Sequence, residues 1–135
     1  MNNTNETFVA DVIEFNRDLL GIPERQPGLM PTPEFSHLVK CLREELDELI
    51  DGHTLHNPVS SVDALIDLQY FLIGGLYKMG LTREMIIDCQ RAVHSANMTK
   101  VKAKVTKRYV EGAVDAGKPA DFVAPEAAIA RILGL

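Results

Sequence analysis

Cysteine is scarce in this chain. Cys41 and Cys89 are the only two, and they stand far apart, which excludes a metal knuckle or a disulfide framework. Both fall in helical patterns and read as buried free thiols of a reducing compartment. Positive charge is also in short supply. The 14 Lys and Arg are outnumbered by 19 Asp and Glu, for a net charge of −5, whereas a nucleic-acid surface needs a broad basic field. An acidic small molecule such as a nucleotide stays open, provided a metal or a local basic cluster offsets repulsion. Long apolar runs are missing too. The most apolar stretch, Ala64–Tyr77, is short for a bilayer and contains Asp67, and the opening MNNTNETF is too polar for a leader. The expectation is a cytoplasmic protein with no membrane partner. Internal repeats and convincing strand pairs are likewise lacking.

What is present is helical periodicity. The 135 residues, 46% apolar and 24% charged, suit one domain over 1–135 that buries a core without staples. Phe8, Val9, Val12, Ile13, Leu19 and Leu20 predict a helix over about Thr7–Leu20, ended by Gly21. A Pro-rich loop follows. Thr32 as N-cap and Pro33 open a second helix with the stripe Phe35, Leu38, Val39, Leu42, Leu46, Leu49 and Ile50, closed by Gly52. A third helix runs from about Ser60 to Met79 and stops at Gly80. Thr82 caps a fourth, with Met85, Ile86, Cys89, Val93 and Ala96 inward. Residues 101–110 fit helix, strand or excursion, and a short last helix begins near Pro125. The expected fold is all-α: a four-helix core, an irregular tail and a short terminal helix.

The acids then need explaining. Residues 42–52, LREELDELIDG, pack five carboxylates into one helix, and like charges at helical spacing repel. At 100° per residue, Glu45 sits about 80° from the centre of the apolar stripe and Glu48 about 60° further round. Both are on one shoulder of the core, while Glu44, Asp47 and Asp51 belong to a solvated face. The third helix is apolar nearly all round, and its only acids, Asp63 and Asp67, are one turn apart. A buried carboxylate must be hydrogen-bonded, paired or metal-bound. For Asp63, Ser60-x-x-Asp63 offers a capping box; for Asp67, the bland alternative is an arginine partner. Two helices that each carry an acidic pair resemble bundle metal sites. Oxygen ligands alone favour Mg²⁺ or Mn²⁺ over zinc or iron. His53 and His56, between helices, read as a solvated turn.

Glu44-Glu45-x-x-Glu48 followed by an acidic pair ending in Asp67, on two helices of an all-α chain, resembles the MazG-like NTP pyrophosphatase superfamily. Its relatives include all-α dUTPases and phosphoribosyl-ATP pyrophosphatase. Ala64 stands where the second motif has its glutamate, with Asp63 the nearest substitute. In the tail, Asn97 and Lys100 of AVHSANMTK match an N-x-x-K of one branch, and Gly117–Pro119 and Pro125 also look like that branch. The resemblance implies hydrolysis of a (deoxy)nucleoside triphosphate, dGTP or dATP among the candidates, to monophosphate and pyrophosphate. It implies Glu45, Glu48, Asp63 and Asp67 as ligands of Mg²⁺ or Mn²⁺, with Glu45 or Glu48 orienting or deprotonating the attacking water. Lys100, with Lys78, Lys104, Arg108 or Lys118, would meet phosphates, and Asn97 a base edge or sugar hydroxyl. A homodimer or homotetramer is expected, because the third helix carries more apolar surface than one chain covers. The alternatives are a pyrophosphatase for phosphoribosyl-ATP or a modified nucleotide, and a non-enzymatic helical interaction module.

Overall fold

The computed structural model describes residues 4–103 and 106–135. The chain divides into two compact units, Met1–Ile86 and Ile87–Leu135. The first unit is built on α1 (Thr4–Glu14), α2 (Thr32–Thr54) and α3 (Pro58–Lys78), with the start of α4 (Arg83–Asn97). As expected, the described residues are dominated by helix.

The first predicted helix changes character partway. After Glu14 the chain widens into a π-helical turn, Phe15–Leu19, with the Leu20 N–H donating to Phe15 O over 3.1 Å. The reason lies at Asn16, a buried polar residue whose Nδ2 donates to Val12 O over 2.9 Å. Gly74 of α3 makes room for it, since a Cβ there would lie 3.0 Å from Asn16 Nδ2. Widening the helix lets a carboxamide enter the core with a hydrogen bond already made. Val9, Val12, Ile13, Ile73 and Tyr77 are buried. Tyr70 takes Phe8 and Phe15 edge-on at 5.8 and 5.3 Å between centroids, a favoured aromatic geometry.

Three predicted helix ends shift. The side chain of Thr32 caps nothing, because Pro31 holds the N-cap position and Thr32 begins the helix. Gly52 does not close α2, which runs on to Thr54. Gly52 is instead a point of close approach: a Cβ would meet Ser61 Oγ at 2.7 Å. The Ser60–Asp63 capping box does not form either. Asn57 caps α3 through its Oδ1, accepting from Ser60 N over 3.1 Å, and Pro58 follows at the first helical turn, where its missing N–H costs nothing. Two expectations hold: Thr82 Oγ1 accepts from Met85 N at the start of α4 over 3.2 Å, and Gly80, at φ +88°, terminates α3.

Gly80 also touches the proline-rich loop, where a Cβ would collide with the Gln26 carbonyl. That loop is fastened by Tyr77 Oη donating to Ile22 O at 2.7 Å and Gly28 N donating to Met79 O at 2.9 Å. Gly80→Ala is therefore expected to cost about 2–3 kcal/mol through left-handed strain and loop displacement. Gly28→Ala, with open space around it, serves as control. Urea denaturation of the two variants checks this.

The second unit holds the rest of α4 and a small antiparallel strand pair, β1 (Val101–Ala103) and β2 (Asp115–Gly117). The strand pair corrects the expectation of none. Its register sets Val101 opposite Gly117, Lys102 opposite Ala116 and Ala103 opposite Asp115. Asp115 ties the connecting segment down: Thr106 Oγ1 donates to it over 2.7 Å and Arg108 Nη2 over 2.9 Å. The Thr106 hydroxyl, the Ala116 N–H and Arg108 together hold its carboxyl below the usual range. Helix α5 (Glu126–Leu133) ends at Gly134, φ +71°.

Candidate metal centre

Helices α2 and α3 are the most extensively packed pair in the first unit. Gly75 lets them approach, since a Cβ there would lie 2.8 Å from Leu38 Cδ2. Their common boundary carries the acids. One carboxylate oxygen from each of Glu45, Glu48 and Asp67 lies within 4.8 Å of the other two. Glu45 and Asp67 are half-buried and Glu48 is exposed, so the cluster opens to solvent on one side. Glu44, Asp47 and Asp51 are exposed, as a solvated face requires.

Burial makes Glu45 the unusual member. Its Oε2 is shut off from solvent with no hydrogen-bond partner among the described residues. Desolvation, then a hydrogen bond with Glu48 and the charges of Asp67, Glu48 and Asp63, push its carboxyl up to about 7. An acid left unsatisfied between two other acids is unfavourable as a purely structural feature. A small divalent cation resolves both defects, supplying positive charge and accepting the oxygen's lone pair. Oxygen bonds of about 2.1 Å suit Mg²⁺, and Mn²⁺ accepts the same donor set. The three residues fit such an ion.

The arginine alternative for Asp67 finds no support. The ion pairs among the described residues are Arg17–Asp18, Arg25–Glu34, Arg83–Glu6 and Arg108–Asp115. Asp63 lies one turn before Asp67, exposed and outside the convergent set, although its charge reaches Glu45. Ala64, at the glutamate position of the second motif, is fully buried. Lys78 is half-buried, eleven residues beyond Asp67 and so about 16 Å along the helix axis. His53 and His56 are exposed, the latter at φ +52°.

Asn97, Lys100 and Lys118 belong to the second unit, while Lys104 lies outside the described residues. Asn97 is exposed at the end of α4, and its carbonyl accepts from Lys100 N at 3.0 Å. Lys100 and Lys118 both place their Nζ over Phe122, at 5.6 and 5.4 Å from the ring centroid. Arg108 is spent on Asp115. Phe122 went unnoticed in the sequence analysis, since its spacing from Lys100 carries no local signal.

A cavity of about 740 Å³ lies elsewhere in the first unit, lined by Arg17, Arg25, Tyr77 and Arg83 among others. Its guanidinium groups are already engaged: Arg25 with Glu34 and the Lys78 carbonyl, Arg17 with Asp18, Arg83 with Glu6. The convergent carboxylates are the better chemical candidate, because they are the groups left without compensation.

Packed helices that share a carboxylate cluster define an all-α fold with a divalent-metal type of centre. The chain belongs to the phosphoribosyl-ATP pyrophosphohydrolase family, whose model matches residues 12–97, more than half its length. That family lies within the MazG-like all-α NTP pyrophosphatase superfamily, so the sequence resemblance holds. The protein is accordingly a nucleotide pyrophosphohydrolase, a hydrolase of phosphoric anhydride bonds. The match takes in Glu45, Glu48, Asp63 and Asp67 and ends at Asn97. No curated protein and no solved structure gives a match.

Proposed function

We propose that this protein is a Mg²⁺- or Mn²⁺-dependent pyrophosphohydrolase that converts a (deoxy)nucleoside triphosphate, with dGTP and dATP among the candidates, to its monophosphate and pyrophosphate. The observation that carries this is the convergence of Glu45, Glu48 and Asp67 with an unpartnered, buried Glu45 oxygen. Such a centre draws in a triphosphate only with a cation between the two sets of negative charge. The cation, when bound, neutralises phosphate charge and acidifies a coordinated water.

The chain's own residues supply the rest. Glu45, Glu48 and Asp67 anchor the ion, with Asp63 adding negative charge nearby. Glu45 takes the proton of the attacking water, and Glu48 orients that water. Water oxygen bonds to phosphorus as the bond to the pyrophosphate leaving group breaks. The resemblance would give Asn97 a base edge or sugar hydroxyl, and Lys78, Lys100 and Lys118 phosphate oxygens.

A second reading, phosphoribosyl-ATP as substrate, is favoured by the family match itself. It uses the same three carboxylates on the same anhydride chemistry. Incubating the protein and Mg²⁺ with each dNTP, each NTP and phosphoribosyl-ATP, then assaying monophosphate-type product and pyrophosphate, separates the two. Turnover of dGTP or dATP above phosphoribosyl-ATP supports the first reading; the reverse order supports the second. No turnover of any of them defeats both.

Assembly follows from α3. The helix is 21 residues long, and by length and composition it is long and apolar enough to cross a membrane. It thus exceeds the apolar run apparent in the sequence. Val62, Leu65, Ile66 and Leu72 are exposed; the first, second and fourth lie roughly opposite Asp67 around the helix, with Ile66 about 100° from it. We assign this face to a homodimer or homotetramer interface of a cytoplasmic protein, since a patch of this kind on a free chain marks an interaction surface. Light scattering should give at least a dimer of the 14.9 kDa chain, and Leu65→Glu with Leu72→Glu should give monomer. A wild-type monomer at assay concentration contradicts the assignment.

A further inference from the structure

Lys100 and Lys118 stand in an arrangement that should be unfavourable. The β1–β2 register ends with Val101 opposite Gly117, and Lys100 and Lys118 are the next residues beyond that pair. Like charges brought near one another repel. Long lysine stems could swing the ammonium groups apart into water. Instead both converge on the Phe122 ring, at 5.6 and 5.4 Å. Neither joins an ion pair among the described residues.

Local structure places the three groups. Lys100 N donates to Asn97 O over 3.0 Å, turning the chain from α4 into β1, and Phe122 N donates to Pro119 O over 3.0 Å, folding the ring back beneath Lys118. The faces of the ring attract cations, and both ammonium groups are held near it, at 5.6 and 5.4 Å from its centroid. Lysine ammonium groups are compact donors suited to phosphate oxygens. A pair of them fits consecutive phosphates of a chain better than a lone phosphate.

We propose that Phe122 is a positioning residue that gathers Lys100 and Lys118 into one binding site for the polyphosphate part of a ligand. This rests on the nucleotide-hydrolase reading for its biological ligand. It also makes a claim that can be tested without turnover. In a chain of net charge −5, with divalent metal removed, the carboxylate cluster can only repel an anion. Polyphosphate binding then needs a local group of cations, and the lysine variants test whether this pair is that group.

The experiment is calorimetric titration of the full chain with inorganic tripolyphosphate in EDTA at low salt, with orthophosphate in parallel. Lys100→Gln and Lys118→Gln should each weaken tripolyphosphate binding about tenfold, as loss of one charge-assisted contact does. Orthophosphate binding should be weak in all proteins. Phe122→Leu should weaken tripolyphosphate about fivefold, and Phe122→Tyr, which keeps the ring face, should stay within about twofold of wild type. In turnover assays Phe122→Leu should raise KM with kcat little changed, the mark of lost uniform binding. Unchanged tripolyphosphate affinity in both lysine variants, or in folded Phe122→Leu, overturns the proposal. Should Phe122→Leu fail to fold, a loss of affinity in Phe122→Tyr equal to that of the lysine variants overturns it instead. Lysine-dependent binding without hydrolysis of any nucleotide sinks the hydrolase reading alone; hydrolysis with lysine-independent binding sinks this one alone.

Discussion

Asp67→Asn abolishes metal-dependent turnover, by about a hundredfold or more, while the metal-free protein melts no earlier than wild type. Asparagine matches aspartate in shape, so the packing of α3 against α2 is preserved. It removes one of three charges converging within 4.8 Å, and with it both a metal ligand and one of the charges raising Glu45. A centre that loses an anionic ligand forfeits several kcal/mol of transition-state stabilisation, and each 1.4 kcal/mol is tenfold in rate. The same variant separates enzyme from interaction module. On the enzyme account, Mg²⁺ raises the melting temperature of wild type and not of the variant. Equal Mg²⁺ stabilisation of both proteins, or undiminished turnover, would mean that Asp67 holds no ion.

Glu45→Gln reverses sign with metal. Burial first, then Glu48 and Asp67, raise the Glu45 carboxyl from an ordinary 4.5 to about 7. Below the ordinary value it is protonated whether the chain is folded or not, so its titration costs the fold nothing. Between there and about 7 the unfolded chain ionises freely while the folded chain resists, and stability is progressively lost as pH rises. In EDTA at about pH 8, Glu45→Gln should therefore melt above wild type, and the two should converge at about pH 4. With saturating Mg²⁺ the order inverts, because wild type gains ligand stabilisation and the variant has one ligand fewer. Proton competition should also weaken Mg²⁺ binding to wild type below about pH 7, approaching tenfold per pH unit. Differential scanning fluorimetry across pH, with EDTA and with Mg²⁺, reads all of this. A variant less stable than wild type in EDTA at about pH 8 would contradict the account.

Much of this was legible in the residues, for physical reasons that differ by element. Helices α2, α3 and α4 announce themselves through apolar period and through Pro33, Gly80 and Thr82 at their ends. The π turn is illegible because Asn16 looks like any polar helix residue until Gly74 is seen to accommodate it. Gly52 reads as a stop, and only the crossing of Ser61 shows it to be a spacer. The strands escaped notice because three residues each, VKA and DAG, give no alternation to detect. At the centre, helix angle put Glu45 and Glu48 on one shoulder of the core, and the cost of burial drew attention to Asp63 and Asp67; Glu45, Glu48 and Asp67 are the ones that converge. Asp63 shares their helix face in projection yet sits a turn away along the axis, a separation that angular reasoning ignores. The meeting of Lys100 and Lys118 at Phe122 depends on how the tail folds back on itself, which residue spacing does not reveal.

The central claim is that Glu45, Glu48 and Asp67 together hold a divalent cation that tethers a polyphosphate. Electron paramagnetic resonance of Mn²⁺ titrated into the protein tests it most directly. The account predicts a bound-Mn²⁺ population that is lost in Asp67→Asn and whose spectrum changes when nucleotide is added to wild type. Free Mn²⁺ throughout the wild-type titration, or binding undisturbed by Asp67→Asn, would contradict it.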